Sequence, residues 1–86
     1  MVERFLKDVY LKDASIVFES EFFAIEETVK VMAGEFANNK IILGSDNGNI
    51  EINVKNCVIT HEMGELGEDV YVFSTAHGTA TFQFKK

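Results

Sequence analysis

The stretch Ile50-Glu51-Ile52-Asn53-Val54-Lys55 decides the fold, because apolar and polar residues alternate along it without a break. Successive side chains of a β-strand point to opposite faces of the sheet, so this alternation predicts a strand with one buried and one solvated face. We expect the strand to cover residues 49–62. A β-bulge near Asn56-Cys57 would explain why the apolar residues change parity at that point.

Runs of β-branched and aromatic residues continue on both sides of this stretch, from about residue 14 onwards. Such composition favours strands, and the runs are separated by short turns that contain Asn and Gly, among them Asn47-Gly48. Short connections favour antiparallel pairing of consecutive strands, which predicts a meander. The predicted strands are residues 15–19, 22–33, 40–44, 49–62, 69–75 and 79–85.

The segment 22–33 also fits a helix over about residues 21–33, with Ser20 as its N-cap and Gly34 at its end. We prefer the strand, because this segment is rich in β-branched residues. In a strand, Glu27 lies on the apolar face. It then needs a polar partner or a raised pKa, unless a bulge or turn at Glu26-Glu27 rotates it into water.

Residues 2–11 predict a short amphipathic helix, since Val2, Phe5, Leu6 and Val9 recur at helical spacing. The expected fold is therefore mainly β: one domain, residues 1–86, in which a small antiparallel meander forms a bent sheet or barrel behind an N-terminal helix. In architecture alone this is similar to SH3-like and Sm-like barrels, whose signature residues the chain lacks. An α+β fold with a second helix at 21–33 is the alternative.

The charge balance is acidic, with 14 Asp and Glu against 8 Lys and Arg, a net charge of −6. Binding to nucleic acid needs a positive surface, and the basic residues here are scattered, so we expect no nucleic-acid partner. No apolar run is long enough for a membrane helix, and the charged start is unlike a signal peptide. We therefore expect a cytoplasmic protein without a membrane partner.

Residues that carry chemistry are few. Cys57, His61 and His77 fall short of a four-ligand zinc pattern, and Cys57 lies in an apolar run that is typical of a small buried residue. No nucleophile, general base or phosphate-binding loop stands out. The sequence therefore predicts a protein that is not an enzyme, with no catalytic, cofactor-binding or metal-binding residues and no cofactor.

Ten aromatic residues are many for so small a core, so we expect part of them to form an interaction surface, for which we select Phe18, Phe22, Tyr71 and Phe73. Residues 41–43 and 70–73 are apolar on both faces, which predicts contact with the helix or with a second copy in a homodimer. The predicted function is a protein-interaction module that self-associates. The alternatives are a β-barrel that binds a small ligand in an apolar pocket and a small acidic inhibitor from a phage or mobile element.

Overall fold

The computed structural model describes residues 1–85 and is mainly β, as predicted. Residues 24–37 form a strand, so the alternative with a helix at 21–33 is wrong. The elements are α1 (Val2–Val9), β1 (Asp13–Ser20), β2 (Ala24–Ala37), β3 (Lys40–Ser45), β4 (Gly48–Asn53), β5 (Val58–Met63), β6 (Asp69–Thr75) and β7 (Gly78–Phe84).

The seven strands form one antiparallel sheet in the order β4-β3-β2-β1-β7-β6-β5. Two meanders, β1 to β4 and β5 to β7, are joined by the pairing of β1 with β7. Although β4 and β5 lie at opposite edges, only residues 54–57 connect them. Six strand spacings would separate the edges of a flat sheet by about 29 Å, whereas this connection reaches at most about 19 Å. The sheet therefore has to curl, but β4 and β5 do not pair and it stays open.

The predicted strand over 49–62 is two strands, which corrects the expectation of a bulge at Asn56-Cys57. After β4 the chain makes a turn in which the Cys57 N–H donates to the Val54 carbonyl over 3.1 Å. Asn56 has a φ of +60° there, a left-handed conformation that Asn tolerates better than most residues. The change of parity in the sequence therefore marks a turn between strands.

A β-bulge lies in β2, where the register shifts between Val31 and Ala33, and bulges bend the strand that carries them. Residues 24–30 of β2 pair with β1, and pairing with β3 begins at Val31 and continues beyond the bulge. Beyond the bulge, Gly34 lies opposite Leu43 and against α1. A Cβ atom at Gly34 would lie 2.9 Å from the Leu6 side chain, so the absence of a side chain allows the helix to approach the strand.

The helix α1 covers the concave face of the sheet and supplies the centre of the core. Phe5 is fully buried and makes edge-to-face contacts with Tyr71, Phe73 and Phe82, with ring centroids 5.1, 4.9 and 5.0 Å apart. These contacts give an eight-residue helix the tertiary support that it needs. No helix in residues 1–85 is long and apolar enough to cross a membrane.

Candidate functional site

The four residues selected as an interaction surface lie in different environments. Tyr71 and Phe73 are 0% and 3% exposed, because they lie on the face of β6 that α1 covers. They belong to the core, which corrects that part of the prediction. Phe18 is half-buried, and Phe22 is 88% exposed. The homodimer stays a prediction.

Exposed apolar side chains collect where β1 turns into β2. Phe22, Phe23 and Ile25 are 88%, 57% and 47% exposed, and we call them the aromatic rim. The turn that carries Phe22 and Phe23 is closed by the Ser20 N–H, which donates to the Phe23 carbonyl over 2.9 Å. An open groove of about 300 Å³ lies beside the rim, between Phe18 and the end of β4. The rim therefore places two exposed aromatic side chains, Phe22 and Phe23, next to the groove.

The first half of β2 pairs on one side only. Residues 24–30 pair with β1, whereas pairing with β3 begins at Val31. On the other side, the Lys30 N–H donates to Asp46 Oδ1 over 2.9 Å, and the Lys30 carbonyl accepts from the Asp46 N–H over 3.1 Å. Backbone groups of alternate residues point the same way in a strand, so those of residues 24, 26 and 28 also face away from β1. No described strand pairs with them, and we call residues 24–28 the open edge.

The open edge is acidic. Glu26 and Glu27 are both exposed, and Glu19 and Glu21 are exposed at the adjoining end of β1 and the turn. Glu27 does share the apolar face, since it lies opposite Ile16 in the β1–β2 register. The register is regular at that point, so no bulge rotates Glu27 into water. The open side of β2 gives it access to solvent instead.

A mostly buried polar cluster lies at the opposite end of the concave face, and it was not predicted from the sequence. His61 Nε2 donates to Asp69 Oδ1 over 2.7 Å, and these side chains are only 9% and 7% exposed. The Tyr71 hydroxyl donates to Asp8 Oδ2 over 2.6 Å. One ligand atom from each of Asp8, His61 and Asp69 lies within 4.8 Å of the other two. We call these three residues the Asp-His-Asp cluster.

Two side chains have a raised pKa: Tyr71, beside the Asp-His-Asp cluster, and Cys57, beside the groove. Burial raises the pKa of Tyr71, and the hydrogen bond to Asp8 together with the negative charge of Asp8 raises it further. The phenol therefore stays protonated and keeps donating to the carboxylate. Burial also raises the pKa of the Cys57 thiol, which lies half-buried against the core near the groove. Cys57 is thus protonated at neutral pH and suits the structural role predicted for it.

Comparison with known proteins gives no match to this chain, whether among protein-family models, curated proteins or solved structures. A function therefore has to be argued from the chain's own surfaces and side chains. Two features qualify: the open edge with the aromatic rim, and the Asp-His-Asp cluster.

Proposed function

We propose that this chain is a protein-interaction module that binds an extended, basic segment of another protein along the open edge. The observation that carries the proposal is the row of outward backbone groups at residues 24, 26 and 28, beside the aromatic rim. An unpaired strand edge accepts a further strand through main-chain hydrogen bonds, and neighbouring apolar side chains add contact area.

Charge favours a basic segment. Glu26 and Glu27 point to opposite faces of β2, so a strand added at this edge meets a carboxylate on either face. Opposite charges on paired strands stabilise the pair by about 0.2–1 kcal/mol each relative to alanine. A segment that alternates lysine or arginine with apolar residues satisfies both the carboxylates and the rim.

Charge disfavours a second copy of this chain at the same edge. Because Asp46 already occupies the outward groups of Lys30, only residues 24, 26 and 28 are free to pair. A two-fold antiparallel pair that uses all three places Glu26 opposite Glu26 of the second copy. Like charges in directly opposed positions are destabilising, and each chain carries a net charge of −6.

The test uses a fluorescein-labelled ten-residue peptide of alternating valine and lysine, with an alternating valine and glutamate peptide as its control. We expect saturable binding of the basic peptide alone, measured by fluorescence anisotropy, and amide shifts at residues 24, 26 and 28 in ¹⁵N spectra. Higher salt should weaken the binding, because the carboxylates are exposed.

Two variants locate the binding. The Glu26→Pro change removes an outward N–H and leaves the β1 ladder intact, so it should abolish binding in a folded protein. Glu26→Lys should weaken binding at least several-fold, whereas Glu65→Lys, the same charge change in the exposed turn before β6, should not. Equal losses in both lysine variants would refute a site at the open edge. A dimer in sedimentation that Glu26→Pro dissociates would show that a second copy occupies the edge.

A further inference from the structure

We infer that the Asp-His-Asp cluster is a binding site for a single divalent transition-metal ion of the Zn²⁺ type. The three residues come from three elements: Asp8 from α1, His61 from β5 and Asp69 from β6. A nitrogen and two carboxylate oxygens are ordinary ligands of such ions, and three protein ligands with a fourth position open to water form a known coordination pattern.

The charge of the cluster matches a divalent ion. With a neutral imidazole, Asp8 and Asp69 together contribute two negative charges in a mostly buried place. In residues 1–85 the only lysine or arginine within 4.0 Å of either carboxylate is Arg4, at 3.7 Å from Asp8. Burying charge that is not neutralised is costly, so one doubly charged ion would remove the imbalance.

The distances require a small local adjustment. Metal bonds of about 2.0–2.2 Å place tetrahedral ligand atoms about 3.3–3.6 Å apart. His61 Nε2 and Asp69 Oδ1, at 2.7 Å, have to separate by less than about 1 Å, and Asp8 has to move inward. The ion then takes the position of the Nε2 proton, which leaves to solvent, and Nδ1 of His61 takes up a proton so that the imidazole stays neutral.

Access and orientation are already present. An open cleft of about 350 Å³, lined also by the basic side chains of Arg4, Lys7 and Lys12, reaches both Asp8 and Asp69, so an ion and its water ligand have a path from solvent. The Tyr71 hydroxyl holds Oδ2 of Asp8 and leaves Oδ1 free. Tyr71 is therefore a positioning residue, because it fixes the carboxylate that the ion would bind.

The experiment titrates ZnCl2 alone into the Cys57→Ser variant, which removes the thiol as an alternative ligand. We expect one equivalent to bind in calorimetry, with a rise in Tm, and Co²⁺ to give visible absorption bands. His61→Ala should weaken binding by more than about tenfold, since even the loss of an outer partner costs about 10–100-fold. His77→Ala is the matched control, because His77 is exposed in the β6–β7 turn, and should bind as before.

Asp8→Asn provides a second variant if His61→Ala fails to fold, because Asp8 is partly exposed and asparagine can still accept from Tyr71. It should lower zinc affinity while the protein stays folded. Loss of the His61 ring signals on addition of paramagnetic Co²⁺ should accompany binding. The inference is refuted by unchanged Tm and no heat at a hundred micromolar ZnCl2, or by binding that His77→Ala abolishes and Asp8→Asn does not.

Discussion

Replacing Phe5 with alanine should be the most damaging single truncation in the helix α1. The side chain is fully buried, and its ring contacts three other aromatic rings at centroid distances near 5 Å. Truncating a buried Phe to Ala costs about 3–5 kcal/mol, through lost transfer energy and the cavity that remains. The upper part of this range is expected, because the sheet strands around Phe5 are fixed by their ladders and cannot collapse onto the cavity.

The magnitude matters because a folded chain of 86 residues has a total stability of only about 4–13 kcal/mol. Urea unfolding followed by far-ultraviolet circular dichroism measures the loss. Phe22→Ala is the matched control, since Phe22 is 88% exposed, and it should change the unfolding free energy by less than about 0.5 kcal/mol. A loss below about 1 kcal/mol for Phe5→Ala, or equal losses in the two variants, would refute the docking of α1 as the centre of the core.

Three further predictions concern single positions. Gly78→Ala should destabilise the protein by about 1–3 kcal/mol, because a Cβ atom there would collide with the Glu19 backbone. Unchanged thermal unfolding of this variant would contradict the register of β1 and β7. Asn56→Gly should be neutral or slightly stabilising and Asn56→Val clearly destabilising, because φ is +60° at this position. Equal Tm values for the two variants would contradict the turn between β4 and β5. Cys57 should react with iodoacetamide more slowly than a free thiol at neutral pH, since burial raises its pKa, and the rate should rise as the pH rises. Rapid labelling of the folded protein at neutral pH would show that the thiol is activated.

Local sequence signals predicted the β content because strands and turns depend on neighbouring residues. The turn between β2 and β3 shows this, since Asn38 and Asn39 both adopt positive φ, the conformation that a two-residue hairpin turn needs. The alternation over residues 50–53 likewise appears as β4, with Ile52 buried and Glu51 exposed. These features need no knowledge of distant parts of the chain.

Features that depend on distant residues could not be predicted in this way. The pairing of β1 with β7 joins the two ends of the chain, and nothing in either strand specifies the other. The contact between Asp8 and Tyr71 spans 63 positions in the sequence. The search for zinc ligands in the sequence considered only cysteine and histidine. Asp8 and Asp69 were therefore not recognised as possible partners of His61. The run 70–73 is apolar on both faces, so the sequence does not show which face of β6 is buried. The docking of Phe5 decides this, because Phe5 covers the face that carries Tyr71 and Phe73.

The aromatic rim and the Asp-His-Asp cluster lie at opposite ends of the sheet. Along β6, Asp69 marks the end with the Asp-His-Asp cluster, and Thr75 marks the end with the groove beside the aromatic rim. Six residues of strand separate these ends by about 20 Å, and Phe5 fills the space between them. A peptide on the open edge and an ion in the cluster share no ligand atom, because β1 and β7 lie between β2 and β6. Because the peptide is bound through backbone groups of β2 and the ion through side chains of α1, β5 and β6, a failure of either test leaves the argument for the other site unchanged.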